Sequence, residues 1–152
     1  MNQPSPTQQQ AIALMTSFLE QKDEASADDL LSQLITEHAS PVIKQIVRYK
    51  LRRYSGSEDG HSHTADADDL HNEVIVKLLY DLRERRNAAG EKIDDFRGYT
   101  AVTTYRACSE YLRRKHPLRH GLKNRLRYAL NAHPDLAAWP DASGESVGGF
   151  AV

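Results

Sequence analysis

The chain has 152 residues, of which 39% are hydrophobic and 27% charged, and its formal net charge is −1 at pH 7. That length fits one domain with a modest core, and no apolar run approaches the ~20 residues that a membrane-crossing helix needs. The lone Cys108 excludes an intrachain disulfide and a cysteine metal cage.

The opening "MNQPSPTQQQ" has neither the basic n-region nor the apolar h-region of a secretory signal, so a cytoplasmic location is expected. Ser5-Pro6-Thr7-Gln8 offers an N-cap, a proline at the first helical position and a glutamine to close a capping box. Ile12, Met15, Phe18 and Leu19 follow at helical spacing, which predicts a first helix to about Lys22. Ser26 is the next start signal, ahead of Leu30, Leu31, Leu34 and Ile35. Pro41 restarts the helix after Ser40, since proline is tolerated in a first turn. Val42, Ile43, Ile46, Val47, Leu51 and Tyr54 then form one stripe, with Lys44, Arg48 and Arg52 as a row of cations on another face.

Residues 55–64, "SGSEDGHSHT", read as an exposed loop. Asp66 is positioned to cap the following helix, with Asp68 and Asp69 in its first turn and Leu70, Val74, Leu78 and Leu82 as its apolar stripe. A second loop surrounds Gly90. A fourth helix is expected from about Asp95 to Lys115, ending at Pro117, and a fifth over about 118–131, with Leu118, Leu122 and Leu126 on one side. Beyond Pro134 the expectation is a short helix in "DLAAW" and a mobile tail, with no strand. The reading is an all-α bundle of about five helices, divided as an N-terminal helix (1–25), a helical domain (26–117), a basic amphipathic helix (118–133) and the tail (134–152).

Charge is segregated along this chain. Residues 1–96 hold eleven Lys/Arg against seventeen Asp/Glu, whereas residues 97–128 hold nine against one. Such a cationic block inside a nearly neutral chain is the footprint of a polyanion reader, or else a solvated face with cations at helix C-terminal ends. The fourth helix also departs from local preference. Gly98, Thr100, Val102, Thr103 and Thr104 cost about 2 to 3 kcal/mol against an alanine-like helix. Either packing rescues that segment, or its hydroxyls form a shallow surface for a partner. Tyr99, Tyr105, Arg97 and Arg106 beside it supply rings for base stacking and guanidinium groups for phosphate; as core aromatics, Tyr99 and Tyr111 would serve packing instead.

"DADDLHNEVIVKLL" followed by "FRGYTAVTTYRACSEYLRRK" resembles region 2 of bacterial RNA polymerase sigma factors, especially the small extracytoplasmic-function type. The resemblance covers residues about 30–116. In that family the first motif docks on the clamp helices of the polymerase largest subunit, and the second meets the −10 promoter element. It implies polymerase contact through Asp69, Asn72, Glu73 and Lys77. It also implies that Tyr99 stacks on an unpaired base of the non-template strand and that Thr103 is a DNA contact as well. Arg97, Arg106, Arg113, Arg114 and Lys115 would hold phosphates of promoter DNA, and Arg119, Lys123, Arg125 and Arg127 would extend that track. The family leaves room for an anti-sigma protein as a further partner, and asks for no cofactor, metal or membrane. Asn72 stands where the family has glutamine, Tyr105-Arg106 where it has Arg-Asn, and Val102-Thr103 where housekeeping members carry two tryptophans. Nothing resembling the region-4 helix-turn-helix follows.

His61, His63, Asp66, Asp68 and His71 crowd eleven residues, but their spacing matches no closed metal site. No phosphate loop, nucleophile elbow or H-E-x-x-H motif occurs, so an enzyme is not expected. Three functions remain: a sigma-like initiation module, a regulator or decoy with the same fold that binds polymerase without reading promoters, and a sequence-tolerant nucleic-acid binder.

Overall fold

Ser5 caps the first helix, α1 (Pro6–Glu20): its hydroxyl accepts the Gln8 N–H, and Pro6 occupies the first turn. The capping box closes only by half, because the Gln8 amide donates to Asp95 rather than back to Ser5. The computed structural model describes residues 5–54, 62–88, 91–142 and 146–151. After α1 come α2 (Glu24–Gln33), a π-helical segment (Leu34–Ala39), α3 (Ser40–Tyr54), α4 (Ser62–Asn87), α5 (Phe96–Lys115), α6 (Pro117–Ala132) and the strands β1 (Leu136–Pro140) and β2 (Ser146–Phe150). The chain is thus almost wholly α-helical, and it divides into two units, residues 1–111 and 112–152, with the boundary inside α5.

Several local expectations need correction. Asp23, not Ser26, caps α2: its carboxylate accepts both the Ser26 N–H and the Ser26 hydroxyl, at 2.9 and 2.7 Å. These two donors hold the Asp23 carboxyl below its ordinary range. Pro41 does lie in the first turn of α3, which starts at Ser40, but no break precedes it, because the π-helical segment runs straight into α3. A regular helix would drive the Pro41 ring into the carbonyl of Glu37, and the wider π turn just before it relieves that clash, with the Ser40 N–H reaching back five residues to Ile35. α4 starts at Ser62, so Asp66 lies inside the helix and is no cap; the rest of the anticipated loop, 55–61, lies outside the described residues, as does Gly90.

In the first unit α1 packs on α2 and α4, and α3 lies along α4. Leu70, Val74, Leu78 and Leu82 of α4 are fully buried, meeting a core that includes Met15, Phe18, Leu31, Leu34, Ile43, Val47 and Phe96. Arg86 fastens three elements at one end. Its guanidinium donates to the Gln21 carbonyl at the end of α1 and to Glu24 at the head of α2, each at 2.9 Å at closest, while lying over the Phe18 ring. Ser40 and His71 join α3 to α4 through a 2.9 Å hydrogen bond. At the head of α5, Asp95 accepts the Gly98 N–H, and a Cβ at residue 98 would collide with that capping carboxylate. A side chain there would have to push the Asp95 cap aside.

The second unit overturns the expected mobile tail. "DLAAW" is not helical: β1 and β2 form an antiparallel hairpin in which Leu136 faces Phe150 and Trp139 faces Val147. A helix of five residues after Pro134 has too few backbone bonds to offset nucleation, whereas the hairpin gains contacts from two glycines. A Cβ at Gly148 would lie 2.7 Å from Leu130 of α6, and one at Gly149 would lie 2.7 Å from the Trp139 ring. α6 has the anticipated leucine stripe, but it buries no residue, and Leu118 is 88% exposed.

Candidate functional site

Helical spacing decides which side chains of α4 share a face. Leu70, Val74, Leu78 and Leu82 take one side into the core, so positions three, four, seven, eight and eleven beyond Asp69 emerge on the other. Asp69, Asn72, Glu73 and Lys77 are all exposed there. Two residues that the sequence reading passed over complete the stripe. Val76 and Tyr80 are each 65% exposed, and their spacing from Asp69 was the available signal. Two apolar side chains flanked by acids and an amide form a surface suited to a helix with an apolar seam and cationic flanks.

α5 separates into an inner and an outer face. Thr100, Thr103, Thr104, Ala107 and Cys108 are buried, so packing, not a partner, rescues the weak helix formers. This removes Thr103 as a base contact. The Thr104 hydroxyl donates to the Thr100 carbonyl at 2.7 Å, and the Thr100 hydroxyl is buried with no hydrogen-bond partner. The idea of a shallow hydroxyl-bearing surface is therefore wrong for these three residues.

Tyr99 is also placed differently from the expectation of a free stacking ring. It is half-buried, donates to Asp81 Oδ2 at 3.1 Å, and carries the Arg85 guanidinium 5.4 Å from its ring centre. Burial, then the Asp81 charge, push its phenol above the ordinary range, with Arg85 opposing. Its hydroxyl ties α5 to α4.

On the outer face of α5, Val102, Tyr105, Arg106 and Ser109 are exposed at helical spacing. Arg113, two turns beyond Arg106, is exposed as well, as are Arg114 and Lys115 in the last turn. Arg97 stands half a turn out of phase with Arg106 and lines a cleft against α3. The expected cations of α5 are thus solvent-facing but are not one continuous row. In the second unit Arg119, Lys123 and Arg127 are exposed four residues apart on α6, and Arg125 is exposed on the opposite flank of the leucine stripe.

No family model matches the sequence, and neither a curated protein nor a solved structure matches it. Among the described residues no three His, Cys, Asp or Glu side chains are grouped to hold a metal ion, and His61 of the anticipated cluster lies outside them. No helix of the described residues is long and apolar enough to cross a membrane.

Proposed function

We propose that the chain is a transcription-initiation module of the sigma region-2 type, with α4 docking on core RNA polymerase and α5 engaging unpaired −10 promoter DNA. The observation that carries this reading is the division of labour between two exposed faces. α4 offers Asp69, Asn72, Glu73, Val76 and Tyr80 on one side of a helix whose other side is core. In the first unit α5 offers Tyr105 and Arg106, aromatic and cationic. An acid-flanked apolar stripe suits a cationic helix of a protein partner, and rings with guanidinium groups suit an unpaired strand.

Capture of core polymerase tests the docking half. Asp69→Ala with Glu73→Ala is expected to lower capture at least tenfold, and Tyr80→Ala to lower it independently. Undiminished capture by all these variants would remove α4 as the docking face. The engagement of Tyr99 by Asp81 and Arg85 favours a second reading, in which the module binds polymerase as a regulator without reading promoters. Fluorescence anisotropy separates the two. Tighter binding of a −10-like single strand than of its scrambled counterpart supports promoter reading, and equal binding of both supports the regulator.

A further inference from the structure

Between α3 and α5 runs a cleft of about 410 Å³, lined by Val42, Gln45, Ile46, Tyr49, Arg97, Ala101 and Tyr105. Two features set it apart from an ordinary interhelical groove. Its two large walls are tyrosine rings that remain 49% and 42% exposed, Tyr49 from α3 and Tyr105 from α5. Each ring is backed by a cation: Lys50 Nζ lies 5.1 Å from the Tyr105 centroid, and the Arg53 guanidinium lies 5.3 Å from that of Tyr49 while donating to its hydroxyl. Among the described residues no acid lines the cleft, and Arg97 is the cation on its lining.

A second cavity of about 200 Å³ shares Val42, Gln45 and Arg97 with the first, so the two are neighbours along α3, together called the trough. Its apolar walls include Ala11, Val42 and Phe96, and its polar edge carries Gln8, Gln45 and His38. His38 sits on the π-helical segment, and its Nε2 is buried with no hydrogen-bond partner. Glu37 is the acid of this cavity, and it accepts from the Gln33 amide at 3.3 Å.

We propose that this trough is a nucleobase site for single-stranded nucleic acid. A base stacks on Tyr49 and Tyr105, the adjoining base presents its polar edge to Gln45 and Gln8, and the phosphates run past Arg97 and the Arg53 guanidinium beside Tyr49. Stacking on tyrosine is tolerant of base identity, and a cation behind each ring adds to the attraction for the strand. Duplex nucleic acid does not fit the site, because paired bases keep their faces in the stack. The proposal rests on the nucleic-acid half of the function above: it keeps Tyr105 as a contact ring and adds Tyr49 of α3, where the sequence alone pointed to Tyr99.

The test is anisotropy of the full chain with a fluorescent twelve-nucleotide single strand, alongside a strand of the same length made of abasic residues. Wild type should bind the normal strand at least tenfold more tightly than the abasic one. Tyr49→Leu and Tyr105→Leu should each weaken the normal strand about tenfold, leave the abasic strand and the salt slope unchanged, and be rescued by phenylalanine. The phenylalanine variants keep the ring and the fold, so a loss confined to leucine is a loss of stacking. Parallel titrations with DNA and RNA identify the preferred sugar, and base-dependent tyrosine effects on either support the site. If both leucine variants bind like wild type while Arg106→Ala with Arg113→Ala weakens binding, the trough is overturned and the outer face of α5 stands. If wild type binds no strand, both readings fall.

Discussion

Cys108 lies one turn beyond Thr104, in the part of α5 that the core covers completely. Burial pushes its thiol from an ordinary 9.0 up to about 11, and the nearby charge of Lys50 offsets part of that rise. A thiol with a raised value in the fold ionises first in the unfolded chain. The stabilisation from keeping it neutral is therefore fully present below the unfolded value of 9.0 and is lost as pH climbs through about 11. Replacing Cys108 by alanine leaves a small cavity, so the variant should start less stable near neutrality. Between those two pH values, however, its urea midpoint should fall less steeply than that of wild type. Parallel slopes would mean that the thiol is not shielded in the fold. The same shielding makes Cys108 a poor target for thiol reagents until the core opens.

At the scale of elements, Arg86 of α4 ties the end of α1 to the head of α2. Its side chain is 12% exposed, and it meets a helix-end carbonyl, a carboxylate and an aromatic face at once. Hydrogen bonds to a charged group contribute about 1.5–3 kcal/mol each, so Arg86→Met should lower stability by about 2 kcal/mol, read as a shift of the denaturation midpoint without change of slope. The Arg83–Asp28 pair between α4 and α2, with both side chains more than half exposed, should give no comparable loss. Arg86 illustrates what periodicity cannot show: nothing within its own helix says that its partners are Gln21 and Glu24, more than sixty residues earlier. The buried stripe of α4 and the Ser5-Pro6 start were legible because each is decided within a few turns of one helix. The hairpin was not, since Ala137 and Ala138 in β1 and Gly148 and Gly149 in β2 carry no alternation, and their fit depends on Leu130 and Trp139 in space. Of the candidate site, the α4 face was legible apart from Val76 and Tyr80. In α5 the helical reading was right, but it could not tell which hydroxyls faced the core. Tyr49 was missed although "VRYKLRRY" interleaves rings and cations, because its cleft needs two helices to exist.

For the whole molecule, burial is distributed very unevenly between the two units. Among the described residues none beyond Leu112 is buried, and α6 leaves Leu118, Leu122 and Leu126 more than half exposed. The core elements from α1 to the body of α5 instead close on one another. Residues 117–152 carry four Arg/Lys against three Asp/Glu, so removing them changes net charge by one and should not alter self-repulsion in the first unit. A chain ending at His116 keeps all of α5, including Arg113, Arg114 and Lys115, whose charges favour a helix C-terminus. It should therefore melt cooperatively within about 3 °C of the full chain, since a shift of about 4–8 °C corresponds to only 1 kcal/mol in a domain of this size. Differential scanning calorimetry of both chains measures it. A fall beyond about 10 °C, or loss of a single transition, would show that the core depends on the second unit. With the midpoint preserved, single-strand affinity of the short chain becomes the measure of α6: loss of a basic track lowers the salt slope by about one for each phosphate contact removed, while the base-dependent part, carried by Tyr49 and Tyr105, should remain.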